Sequence, residues 1–396
     1  MWTYQPPKEI LSKYAEVLVH CGLGHGTGIK PGEVVVVSHN QATASLIPHL
    51  ARSILAAGGC TLWDVEFEFP LEQDPEEVLK EYGNPEQLAF YPLQHREQMW
   101  RQAHHRITLK SVNHITPSQL ANTPAAAQRR DTTADKTALL RHFRSDIWKS
   151  YTLAYYPTPD MARTSSVTLE EFWQVIIDGC FLEEKDPVRQ VRESQQQAAN
   201  LAAELRRLDI SSLRILGEHI DLSMDMVTSS QFVSSGGGNL PSYEVFGVPV
   251  ADSVNGWFES SFAPLFENEP IGTTTFFFEN GVCVNTVGRN HCEALEHMLA
   301  EPGMNLLGEV AFTDQRLSGI NNALPGWPLF MENIGATGHL AFGSPIKKCL
   351  PSGNHPSANQ SKLHLDFVYS GDFTVTATLQ DGSEKVIWQN GQFTIV

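Results

Sequence analysis

The sequence predicts an α/β N-terminal three-layer sandwich followed by an α+β C-terminal domain, and three observations carry that reading. The chain has 396 residues, more than one hydrophobic core usually serves. Its first half contains a strand, a helix and a second strand in close succession: Glu33 to Ser38 with four valines at Val34 to Val37, Ala42 to Ala57 closed by Gly58-Gly59, and Cys60 to Val65. After Leu208 the texture changes to short strands and turns. The spacing of the first run makes a right-handed parallel unit of the Rossmann-like kind, with helices covering the sheet. The expected domains are therefore residues 1–208 and 209–396.

From Lys8 to Cys21 the apolar residues Ile10, Leu11, Tyr14, Val17, Leu18 and Cys21 recur at helical spacing, and Gly22 ends the run. The glycine-rich stretch Gly22 to Gly28 follows a helix and precedes a strand, the reverse of a dinucleotide-binding loop, so no nucleotide site is expected. Glu66 to Glu77 reads as an acidic loop leading to a helix near Pro75. His95, His104, His105 and His114 lie among Arg96, Arg101, Arg106 and Lys110, whose charge opposes a cation, so they read as an exposed helix face. Ser118 to Asp135 reads as a surface loop. Trp148 to Tyr156 is a strand, Thr168 to Glu171 a capping box opening a helix, and Asp186-Pro187 the start of a longer helix to about Leu208. Strands follow at Leu213–Gly217, His219–Met224, Thr273–Phe278 and Val282–Val287, and the chain closes in hairpins over Phe373 to Gly391.

The balance of 28 Lys+Arg against 45 Asp+Glu gives a net charge of −17, which opposes nucleic acid and anionic membranes as partners. The six cysteines form no C-x-x-C pair, which argues against a zinc ribbon or a disulfide framework and fits a reducing cytoplasm. The first residues, Met1-Trp2-Thr3-Tyr4-Gln5-Pro6-Pro7, show neither a basic region nor an apolar core, and no run approaches the roughly twenty residues of a membrane span. A soluble, cytoplasmic, unprocessed chain is expected.

Chemistry concentrates between Glu244 and Asp366. In His364-Leu365-Asp366 a strand would aim an imidazole and a carboxylate to one face. Such a pair either ligates a metal or forms a structural hydrogen bond. Four short segments carry the candidates, the first three marked by Gly or Pro: Asn239 to Phe246 with Glu244, Leu307 to Ala311 with Glu309, Glu332-Asn333 to Gly343 with His339, and Asn359 to Phe367 with His364 and Asp366.

In that order and separation these segments resemble the thermophilic-type metalloaminopeptidases, the family of aminopeptidase T, aminopeptidase S and aminopeptidase II. Trp173 and the Asp186-Pro187 step extend the resemblance across most of the chain. It implies that Glu244, Glu309, His339, His364 and Asp366 bind two divalent metal ions (Zn, Co or Mn), with Glu309 as the bridging carboxylate. It also implies a small peptide or amide substrate, hydrolysed through a metal-activated water, and a homodimer. The C-terminal domain is then the metal-binding, catalytic one.

Two departures mark a divergent member. Tyr243 stands where the family has the first of two glutamates, and Ile346 where it has a tyrosine assigned to catalysis. Tyr243 cannot serve as a carboxylate base near neutral pH, and Ile346 donates no proton. Catalytic candidates are therefore Glu309, Tyr243 and Tyr369, with His355, Lys347 and Lys348 as further substitutes. The alternative is a mononuclear Fe(II) ring-cleaving dioxygenase, since His339, His364 and Asp366 have the composition of a 2-His-1-carboxylate site. A third is a biosynthetic or metal-binding protein without peptidase turnover.

Overall fold

The computed structural model describes residues 4–69, 74–112, 123–262, 264–266, 269–288, 293–350 and 352–395. His114 and Cys292 lie outside the described residues. The chain forms two compact units, Met1–Val191 with Gly237–Leu240, and Arg192–Gly236 with Pro241–Val396. It is a mixed α/β protein with several sheets. No helix among the described residues is long and apolar enough to cross a membrane.

The first unit is built on a parallel sheet in the order Cys60–Val65, Val34–His39, His105–Lys110, Ser150–Tyr155, Asn239–Leu240. Val35, Val36 and Val37 are fully buried, as a central parallel strand requires. The helix between the first two strands begins at Ile47, later than the expected Ala42. Pro48 explains the difference: its ring fits a first helical turn but breaks a helix already under way, so residues 41–43 form only a 3₁₀ turn capped by Asn40. The capping box at Thr168 forms as expected, each partner bonding the other's backbone N–H.

Two expectations in this unit are corrected. Of the segment Ser118 to Asp135 read as a surface loop, residues 118–122 lie outside the described residues, and the rest belongs to a helix, Pro124–His142, capped by the Thr123 side chain. Its polar sequence has no apolar stripe to betray it, but Thr-Pro at N-cap and N1 was a usable start signal. The four histidines do not share a helix face. His95 is exposed on the helix Leu93–Arg101, whereas His105 is buried in the central sheet. Its Nε2 lies 2.8 Å from Glu33 Oε2 and its Nδ1 2.8 Å from Ser150 Oγ, a satisfied structural set.

The second unit holds two large antiparallel sheets and a two-stranded one, Leu265–Phe266 with Glu269–Pro270. Eight strands run in the order Val282–Gly288, Thr274–Glu279, Asn255–Glu259, Ile220–Asp225, Ile210–Gly217, Phe373–Leu379, Glu384–Gln389, Gln392–Phe393. Asn280 and Gly281, with φ of 47° and 83°, make the tight turn joining the first two of these. The other large sheet runs His364–Tyr369, Thr337–Gly343, Leu307–Thr313, Val245–Gly247, Val233–Ser234. Aromatic rings bind the two sheets: Phe276 lies 4.8 Å from Phe367 and 5.0 Å from Phe342, and Phe312 lies 5.5 Å from Trp388, centroid to centroid.

This layer fixes which way the five-stranded sheet faces. Phe312, Phe342, Phe367 and Tyr369 point toward the eight-stranded sheet, so the residues between them in the alternation point to the opposite face. Gly338 sits where a Cβ would come within 2.4 Å of the Tyr369 ring, so only glycine lets that ring lie across the strand. Phe276 is fully buried among these rings. Phe276→Ala is expected to cost about 3–5 kcal/mol, read as a lower midpoint in urea unfolding; a loss below about 1 kcal/mol would show the layer to be loosely packed.

Candidate metal centre

The register of the five-stranded sheet assembles the donors. Glu309, Ala341 and Asp366 stand directly opposite one another on three adjacent strands, and His339 stands between Ala311 and Val368. His339 is two residues from Ala341, and His364 two from Asp366, so all four functional side chains share the face turned away from the aromatic layer. Glu244 directly precedes the strand Val245–Gly247, in which Phe246 pairs with Ala311.

The donor atoms converge. Glu244, Glu332 and His339 form one group, and Glu309, His364 and Asp366 another, in each of which the candidate ligand atoms lie within 4.8 Å of one another. Glu309 lies between the two imidazoles: its Oε1 is 3.5 Å from His339 Nε2, and its Oε2 is 3.7 Å from His364 Nε2. His339 Nε2 is also 3.6 Å from Glu244 Oε2, and His364 Nε2 is 3.1 Å from Asp366 Oδ1. Separations of 3.5–3.7 Å are long for hydrogen bonds. They match the spacing of about 3.4 Å that two donors keep when each is about 2.1 Å from one tetrahedral ion.

Neighbouring groups hold the donors in place. His364 Nδ1 lies 2.6 Å from the Ser344 carbonyl, so it donates there and leaves Nε2 free as a ligand. Ser242 Oγ donates to Glu244 Oε1 at 3.0 Å, turning the other oxygen toward His339. Glu332 ends the short helix Pro328–Glu332. The next residue, Asn333, accepts a hydrogen bond from the Tyr243 backbone N–H at 2.7 Å and donates one to the Leu329 carbonyl at 2.9 Å. One buried amide thus ties the Glu244 segment to the Glu332 helix.

The residues present fit a divalent cation. Glu309 Oε2 and His339 Nδ1 are buried without a hydrogen-bond partner among the described residues, and an ion would satisfy the carboxylate oxygen. Four carboxylates and two imidazoles supply oxygen and nitrogen donors, and four negative charges balance two divalent ions.

Electrostatics agree. Burial pushes the Glu244 carboxyl up to about 7, against the pull of His339. Burial, then Asp366 and the two nearby glutamates, holds Glu332 well above the carboxylate range. Burial disfavours charge on His364 and His339, but their acidic neighbours outweigh it, lifting His364 to about 10 and His339 above its ordinary value. For Asp366, burial pushes upward and the His364 charge wins, bringing it down to about 2. Near pH 7 the ion-free site therefore keeps an extra proton on His364, and ligation must drive it off. The expected outcome is proton release on metal binding and an affinity that rises from pH 6 to pH 8. Calorimetry in buffers of different ionisation enthalpy measures it, and zero release would contradict it.

The structure brings together Glu244, Glu309, His339, His364 and Asp366, and adds Glu332, which sequence reasoning did not name as a donor. Its one trace in the sequence is the Glu332-Asn333 step that opens its segment, which carries no spacing that points to a donor. Tyr369, expected among the catalytic groups, is not brought to the site. It is an odd number of residues from both His364 and Asp366, so alternation turns it into the aromatic layer, where its ring stands 5.0 Å from Phe373 and 6.4 Å from Phe258. Tyr243 is fully buried and ties its segment down through its backbone N–H. Ile346 packs against an apolar cluster that includes Phe246, Ala311 and Cys349. His355 serves its own turn, its Nδ1 accepting from the Ser357 N–H, and Lys347 and Lys348 are exposed.

Comparison with known proteins gives the family and the fold. Over 97% of its length the chain is 24% identical to aminopeptidase 2 of Geobacillus stearothermophilus, covering 97% of that protein. It is 26% identical to aminopeptidase T of Thermus aquaticus over 57% of this chain and 60% of the relative. The fold is that of wild-type AmpT from Thermus thermophilus, with a TM-score of 0.81, 19% identity, and coverage of 98% of this chain and 99% of that one. A more distant likeness, with a TM-score of 0.56 and 12% identity over 98% of each chain, is to 2,5-dihydroxypyridine dioxygenase from Pseudomonas putida KT2440. Residues 7–393 match the thermophilic metalloprotease family (M29), and the chain, a metallohydrolase, belongs to that family.

Proposed function

We propose that this metal-dependent peptidase is a dinuclear aminopeptidase, or a narrower amide hydrolase, acting on a small peptide-like substrate. The observation that carries the reading is the position of Glu309, which presents one carboxylate oxygen to each imidazole. Glu244, Glu332 and His339 would hold one ion, His364 and Asp366 the other, and Glu309 both. When bound, the ions supply Lewis acidity and lower the pKa of water held between them.

The chain's own residues do the rest. Of the catalytic candidates Glu309 is the one that stands at the donors; were one of its oxygens released from an ion, it would take the proton from the attacking water and pass it to the leaving amine. Ser242, Ser344 and Asn333 hold the donors in register, which keeps the reacting groups aligned without reorganisation. The family's tyrosine hydroxyl is replaced neither by Ile346 nor by Tyr369, so less stabilisation of the tetrahedral intermediate is expected than in relatives that keep it.

Metal analysis coupled to turnover tests the reading. About two Zn, Co or Mn ions per chain with hydrolysis of aminoacyl anilides is the expected result. One iron per chain with oxygen consumption would overturn it in favour of the ring-cleaving alternative, and bound metal without either activity would leave a protein that has lost peptidase turnover. A homodimer and a cytoplasmic setting belong to the same proposal, and sedimentation checks the first.

A further inference from the structure

A narrow cleft borders Asp366. Its walls include Phe262 and Trp327, Met331 from the short helix that ends at Glu332, and Val368 from the strand that carries Asp366. We propose that this cleft is a side-chain subsite that selects a small aliphatic residue at the amino terminus of the substrate. The inference rests on the aminopeptidase reading and adds the substrate class to it.

Chemistry selects the occupant. Asp366 is the one charged side chain among the lining residues, and it is already engaged by His364 at 3.1 Å and by Glu332. A water there would lack the two to four polar partners that make a buried water stable, whereas an alkyl group would be at home. Size narrows the choice: the cleft has room for about one water molecule, and a methyl group is of similar bulk. Trp327, Met331 and Val368 are 6%, 2% and 3% exposed, so the walls are packed in place.

Position links the cleft to the chemistry. An aminopeptidase must hold the free α-amino group within its donor set, and the first side-chain carbon lies about 2.5 Å from that nitrogen. A cavity touching Asp366 is therefore where this carbon would go. Val368 lies two residues along the same strand face from Asp366, and Met331 directly precedes Glu332. Two donor-bearing elements thus also build the walls.

The test compares alanyl, leucyl and phenylalanyl anilides on the metal-loaded protein, alongside calorimetric binding of free alanine, leucine and phenylalanine. The wild type should prefer alanine in both series. In Met331→Ala the leucine-to-alanine ratio should rise at least about tenfold in kcat/KM and in affinity, a lower bound for the three carbons by which leucine exceeds alanine, since one methylene commands about that much in an apolar pocket. Val368→Ala, which opens a different wall, should shift the ratio the same way and serves if the first variant fails to fold. An unchanged ratio in a folded variant, or a wild type that takes phenylalanine as readily as alanine, would overturn the subsite and leave the peptidase intact. Selective binding of alanine without turnover of any anilide would keep the subsite and refute the peptidase. Neither binding nor turnover would refute both.

Discussion

Glu309→Gln should lose bound metal and activity together, with kcat/KM falling by about a thousandfold or more. The substitution keeps the shape of the side chain and removes one anionic charge where Glu309 faces both imidazoles, 3.5 Å from one and 3.7 Å from the other. A carboxamide offers one neutral oxygen in place of two anionic ones, so it cannot serve two ions at once. The ion-free protein should melt close to wild type, because the change opens no cavity and loses repulsion toward Glu244 together with attraction to the two imidazoles. Elemental analysis, melting temperature and anilide hydrolysis are the three readouts. Full activity in the folded variant would refute the bridging role.

Ala341→Leu should abolish metal binding while leaving the fold in place. Ala341 is fully buried and stands in register between Glu309 and Asp366, on the strand of His339 and the same face. Its methyl group is the floor over which both carboxylates reach. A leucine adds three heavy atoms there and displaces the ligand atoms, at an overpacking cost of about 1–3 kcal/mol. Ala341→Gly should retain metal, which separates bulk from backbone effects. Wild-type metal content in Ala341→Leu would show that the ions lie elsewhere.

How much of this was legible depends on whether the signal was local. The pairing of His364 with Asp366 could be read directly, because strand alternation has a period of two and needs nothing beyond the adjacent residues. The same parity, applied to Tyr369, excludes it from the site. The first parallel strands were legible too, since four successive valines bury on both faces. Glu332 was not: it ends a helix of five residues, and no periodicity links that turn to the strands before and after it that position the other donors. His105 was misplaced because its arginine neighbours suggest solvent, whereas its partners Glu33 and Ser150 are 72 and 45 positions away. The helix at Pro124–His142 was hidden because its faces are alike in polarity. The set of five donors came from the resemblance of segments, and the Ala341 floor came only from strand register, which composition does not encode.

The ring-packed layer behind the five-stranded sheet has a practical consequence. Zinc fingers collapse when stripped by a chelator, because the ion is their core. Here an organic interior holds the scaffold together by itself. Dialysis against a chelator should accordingly yield an empty but folded enzyme that recovers within the dead time of mixing when any suitable cation is returned. Which element it carries would then be decided by supply rather than by the history of its folding.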